Sequence, residues 1–279
     1  MLHTWIASTI IALVAGTLGF FVVLRRSAFA AHALPIGSFP GAAAAVLLGI
    51  QPLWGLLVFV AVGVVLLQQL QRLGRRDVAA GLVLVTLMAL GSLLLSMTNA
   101  YGPGVFALLF GEVLGVSAAD LLPVAIISAV VILGVICLYR PLLLQSAFPE
   151  LAVPRGLKPG VMDFVFLVLL GLVVAMALPV VGTLLVFSLL VAPAATAQSL
   201  SANPVRALSL SILLALGMMW ISIAMSFWTN WPIGFFIGAI GAALFSGARI
   251  YRYLRDHFKT RHKSLQELPS TAAVQAIAR

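Results

Sequence analysis

Few ionisable residues fall inside apolar stretches of this sequence, and His32 leads them. It stands six residues beyond Arg26, ~9 Å further along a helix rising 1.5 Å per residue, and beside the breakers Pro35, Gly37 and Pro40. Transporters build midplane sites from interrupted segments of this kind, because the unwound backbone offers free carbonyls and amides. His32 is therefore the candidate for a substrate path, set against an interfacial histidine bonded to a neighbouring loop. Glu112 and Asp120 lie at a short apolar stretch, 104–114, where carboxylates near a mouth would concentrate cations by focusing the field. Asp120 directly precedes an apolar run and reads better as a helix cap. Asp163 also sits at a helix start, five residues from Lys158, and capping outweighs proton relay there.

Other metal chemistry finds little support. Met218, Met219 and Met225 would suit a soft metal, but no M-x-x-x-M array accompanies a cysteine or histidine, and methionine is common core filler. His257 and His262 are spaced i, i+5 and do not share a helical face. Four histidines and seven acidic residues offer no closed four-ligand zinc pattern. Cys137 is the single cysteine, which excludes an intrachain disulfide or a cysteine cluster. No G-x-x-x-x-G-K-[ST] loop is present, so any ATP hydrolysis belongs to another chain. The chain is expected to be no enzyme and to bind no cofactor of its own.

The elements that must position these residues are membrane spans. Hydrophobic residues make up 63% of the chain and charged ones 8%, against about 45–50% and about 25% in soluble domains. Apolar runs near 4–24, 29–50, 53–70, 78–98, 121–139, 162–180, 183–200, 207–228 and 232–250 approach the ~20 residues that cross a ~30 Å hydrocarbon core. The first is too long for a signal peptide and precedes Arg25 and Arg26 rather than a cleavage site. With nine spans and an outside N-terminus, all 16 basic residues fall on the cytoplasmic side, as the positive-inside rule requires. Topology thus explains the net charge of +9 without nucleic acid. An eight-span arrangement stays open, because the second segment carries Pro35, Gly37, Pro40 and Gly41 and is expected to be broken.

The expected fold is an all-α transmembrane bundle of eight or nine spans over 1–250, with a re-entrant or interfacial helix near 104–114. Residues 251–279 form a basic cytoplasmic tail, helical at first and frayed at the end. Small-residue runs at 41–45, 192–197 and 238–247 allow close helix contacts in lipid and suit a compact, dimeric protein.

Five strings carry a family resemblance over most of residues 10–250. They are GTLGFFVVLRR at 16–26, FPGAAAAVLLGI at 39–50, LLFGEVLGVSAADLL at 108–122, YRPLLLQSAFPELA at 139–152 and GTLLVFSLLVAPAATAQSL at 182–200. In this order they resemble the membrane permease of ATP-binding cassette importers for zinc, manganese and iron. The resemblance implies a bacterial cytoplasmic-membrane protein acting as a homodimer with alternating access. It also implies a cytoplasmic ATP-binding subunit, which holds ATP and magnesium, and an extracytoplasmic substrate-binding protein. Phe148, Pro149, Glu150, Leu151 and Ala152, within a loop of about 141–159, look like the coupling helix that rests in a groove of the ATPase.

Two departures bear on the cargo. After the double arginine the family usually carries D-x-x-x-H, a carboxylate and an imidazole one turn apart on one helix face. Those positions are His32 and Ile36 here, so His32 is the only one left to hold a metal. Either the metal passes with weaker coordination, with one His32 from each protomer, or the cargo is a metal chelate or another small solute. The coupling stretch departs too, with Phe148 and Pro154 where the family prefers aspartate and a helix former. A third reading is a membrane carrier that works without an ATPase.

Overall fold

The computed structural model describes residues 2–71, 76–97 and 117–266. Among them the regular structure is entirely helical: α1 (Leu2–Leu24), α2 (Ala28–Leu48), α3 (Pro52–Gln71), α4 (Arg76–Ser96), α5 (Ala118–Ala147), α6 (Pro149–Ala152), α7 (Pro159–Val181), α8 (Thr183–Leu200), α9 (Pro204–Thr229) and α10 (Ile233–Gln266). The helix expected over 104–114, together with Glu112, lies outside the described residues, as does the tail beyond Gln266. Every other apolar segment read from the sequence has its helix. Six of these helices are long and apolar enough to cross a membrane.

Local signals set the helix ends. The Asn203 side chain accepts from the backbone N–H of Val205 and Arg206, at 3.0 and 3.4 Å, and Pro204 follows at the first helical position. That pairing is a strong N-terminal signal. The α1–α2 link is three residues long. In it Arg26 takes φ 55°, while Ser27 N–H donates to the Val22 carbonyl at 2.9 Å, the closure of a Schellman turn. Gly182 alone joins α7 to α8, with φ 89° and ψ 154°, a region essentially restricted to glycine.

Two expectations need correction. The second segment is one continuous helix, Ala28–Leu48, and not a broken one, although Pro35 and Pro40 lie inside it. Each proline removes one hydrogen bond, to the residue four back, and crowds that carbonyl, here Ala31 and Ile36. The helix is held together from outside, where Gly41 and Gly55 bring the backbones of α2 and α3 into direct contact. A Cβ on Gly41 would lie 2.2 Å from the Gly55 carbonyl oxygen, and one on Gly55 would lie 2.0 Å from that of Gly41. Ser38 Oγ also donates to the Pro35 carbonyl at 2.8 Å. Likewise the segment at 121–139 does not stop at Arg140 and Pro141 but continues as α5 to Ala147. Leu142, fully buried beyond the proline, anchors the extra turns.

Burial divides the helices into centre and periphery. The membrane windows of α1 and α7 are 67% and 72% buried, against 22% for α5. Phe20, Phe21, Phe166, Leu170 and Leu178 form the middle of the core. On α5, Leu122, Ile126, Val130, Leu133 and Ile136 are all exposed, a stripe at helical spacing with lipid as its natural solvent. Some polar contacts between helices run to backbone: Ser211 Oγ donates to the Gly16 carbonyl at 2.7 Å, and Gln198 Nε2 to that of Phe20 at 2.8 Å. Tryptophans gather at the end away from Arg25. Trp5 and Trp220 meet edge to face, and Trp231 contacts Phe235 and Phe236, as amphipathic rings do at a membrane interface.

Candidate functional site

His32 lies one turn inside α2, and its ring meets Phe187 of α8 edge to face, with centroids 4.9 Å apart and planes at 72°. Both residues are half-buried, and so are Ile36 and Phe39, one and two turns further along α2. The spacing i, i+4, i+7 puts His32, Ile36 and Phe39 on one face, and that face remains open along the flank of the chain beside α8. Pro35 and Pro40 leave the carbonyls of Ala31 and Ile36 without their helical donors, close to the imidazole in sequence. Among the described residues no group of three or more His, Cys, Asp or Glu side chains is arranged to hold a metal ion. The chemistry available here is one imidazole, an aromatic ring and backbone carbonyls, which suits passage of a cation better than its retention.

Within the stretch 148–152, Pro149–Ala152 form the four-residue helix α6 with Phe148 as its N-cap, and α6 packs against α5. Phe148, Glu150, Leu151 and Val153 are exposed, while Ala152 is fully buried. Ala152 is also the anchor of the returning chain, its carbonyl accepting from Arg155 and Leu157 N–H, both at 3.2 Å. The result is a small knob with two large apolar side chains and one carboxylate displayed. Beside it, between the Gln71 end of α3 and the start of α7, is a cavity of about 750 Å³ lined by Gln68, Val153, Leu157, Lys158 and Phe164 among others.

Asp163 does not cap α7. The helix starts at Pro159 with Lys158 as its N-cap, and that residue makes no side-chain cap bond. Asp163 lies in the second turn and is ion-paired with Arg25, the first residue after α1. Gln145 of α5 joins the pair, accepting from Arg25 Nη1 at 3.4 Å and donating to Asp163 Oδ1 at 3.3 Å. The Arg25 guanidinium also lies 4.7 Å from the centroid of the Phe166 ring, a cation–π contact. Sequence reasoning missed this cluster because Arg25 and Asp163 stand 138 positions apart, and no local pattern links a topology-setting arginine to a carboxylate near a helix start. Phe187 was missed for the same reason, as an aromatic in an apolar run. Asp120 falls in the first turn of α5.

A helical bundle with a lipid-facing surface, one half-open imidazole and a displayed knob has the build of a membrane transport subunit. Known proteins narrow that class. The sequence pattern of the ABC 3 transport family spans residues 1–252. The chain is 32% identical over 194 residues to the manganese import system permease protein ScaB of Streptococcus parasanguinis, covering 69% of each. It is 28% identical over 258 residues to a probable iron transport system membrane protein of Haemophilus influenzae, covering 91% of this chain and 94% of that one. Among solved structures, PsaBC from Streptococcus pneumoniae in complex with Fab matches with a TM-score of 0.79 and 25% identity, over 88% of this chain and 89% of that one. An inward-facing putative metal-chelate type ABC transporter shares the fold, with a TM-score of 0.70 at 21% identity over 88% and 85% of the two chains. The chain belongs to the ABC 3 transport family and is a multi-pass membrane permease.

Proposed function

We propose that this permease carries divalent metal ions, manganese, iron or zinc, inward across a bacterial cytoplasmic membrane, driven by ATP hydrolysis on a separate subunit. The observation that carries this reading is the run of manganese and iron transport permeases among its relatives, one of them aligned over 91% of the chain. In this reading α1 to α5 and α7 to α10 all cross the bilayer, the N-terminus is outside, and the basic end of α10 is cytoplasmic. Two copies face each other so that the open flank of α2, with His32, lines a shared path. ATP and magnesium reside on the partner ATPase, and this chain needs no cofactor. An extracytoplasmic binding protein delivers the metal.

The α6 knob is the contact with the ATPase. Its exposed Phe148 and Leu151 offer the apolar anchors that seat a small helix in a groove. Closure of two ATPases would push the knobs and rock the bundles between two packed states. The test is co-purification with the ATPase subunit in gentle detergent. Wild type should retain it, and Glu150→Ala or removal of Phe148 to Ala152 should release it. Retention by the deletion variant would remove α6 from the interface.

A second reading keeps the permease and its motor but gives it a metal chelate or another small solute. One observation favours it: Ile36 occupies the position where a second ligand would chelate with His32. An ATPase-independent carrier is disfavoured, because the family pattern continues through the α6 segment.

A further inference from the structure

The buried cluster at the base of the knob has a role that neither topology nor helix capping supplies. The Arg25 and Asp163 side chains are 6% and 16% exposed, so the pair is shielded from water and from salt. Gln145 lies three residues before Phe148, at the departing side of the knob. Its Nε2 donates both to Asp163 Oδ1 and to the Pro159 carbonyl at 3.2 Å, on the returning side. Gln68 of α3 donates to the Gly160 carbonyl at 2.9 Å. Both roots of the knob are thereby tied to one point, and Arg25, the residue that follows α1, joins that point to the α1–α2 link. From Arg25 the connection is short: a hydrogen-bonded turn over 25–27, then α2, whose fifth residue is His32.

We propose that Arg25, Gln145 and Asp163 form a latch that carries displacement of the α6 knob to α1, and through the 25–27 turn to α2 and His32. They are positioning residues that touch neither cargo nor ATPase. This rests on reading α6 as the motor contact. A force on the exposed knob would otherwise dissipate in the 153–158 loop, where Gly156 has φ 78° and a succession of turns replaces helix. The bidentate reach of a guanidinium allows Arg25 to hold the amide of α5 and the carboxylate of α7 together, which the single point charge of lysine cannot do. Coupling of this kind runs through a contiguous network of packed and hydrogen-bonded groups.

The experiment uses the permease assembled with its ATPase in proteoliposomes, with manganese ion as the probe, and measures manganese uptake and ATP hydrolysis in the same vesicles. Asp163→Asn, Arg25→Lys and Gln145→Ala are compared with wild type. The expected result is an assembled complex that hydrolyses ATP near the wild-type rate while uptake per ATP falls by between about twofold and thirtyfold, the range for single links in coupling networks. Gln145→Ala leaves the ion pair intact and keeps the test open if a charge change prevents assembly. An unchanged uptake per ATP, or equal loss of both activities at a constant ratio, overturns the latch, because either result describes residues that serve folding alone. A wild-type complex that takes up none of manganese, iron and zinc refutes the proposed function, and the latch falls with it. A wild type that does, beside variants at its own ratio, refutes the latch only.

Discussion

His32 of α2 and Phe187 of α8 meet edge to face, with ring centroids 4.9 Å apart, so the histidine proposed for the path is braced by an aromatic from a different helix. Position 36 follows one turn later on the same face and is aliphatic. The double variant His32→Asp, Ile36→His therefore adds the missing charge neutralisation and chelation at ready-made spacing. It should tighten manganese binding by about tenfold or more, worth ~1.4 kcal/mol, as measured by calorimetry on the purified permease. An unchanged affinity would mean that this face of α2 does not line the path.

The contact of α2 with α3 has no room for side chains. Gly41→Ala forces a methyl to within 2.2 Å of the Gly55 carbonyl oxygen, and backbone cannot yield as a flexible side chain can. The expected cost is about 1–3 kcal/mol or more, the range for overpacking, read as a lower melting temperature in detergent. Gly217→Ala, inside α9, serves as a control for added bulk, since nothing lies within 4 Å of that position.

Gly182 tests the α7–α8 junction. Its φ of 89° and ψ of 154° exclude a Cβ without strain, so Gly182→Ala should destabilise the permease by about 1–3 kcal/mol. Because the Gly182 carbonyl also starts α8 by accepting from Leu185 and Val186 N–H, both at 3.2 Å, the loss should be accompanied by faster amide exchange at the first turn of α8. Wild-type exchange there would contradict the account of the junction.

Much of this architecture is legible from residue type alone. Apolar runs bounded by arginines or by signals such as Asn203-Pro204 locate the helices, since each such signal acts within one turn. Prolines mislead, because a sequence shows the lost hydrogen bond at Pro35, Pro40 or Pro141 but not the packing that offsets it at Gly41, Gly55 and Leu142. The site is less legible. His32 stands out by its polarity in an apolar segment, and 148–152 by resemblance. Their supports, Phe187 and the Arg25, Gln145 and Asp163 cluster, are long-range relationships that appear only once the helices pack.

The central claim is tested most directly by loading the permease and its ATPase into proteoliposomes and following manganese accumulation with and without ATP. The account predicts ATP-dependent accumulation, competed by iron or zinc and reduced by His32→Ala. Brisk ATP hydrolysis by the same complex, with no accumulation of manganese, iron or zinc, would contradict it.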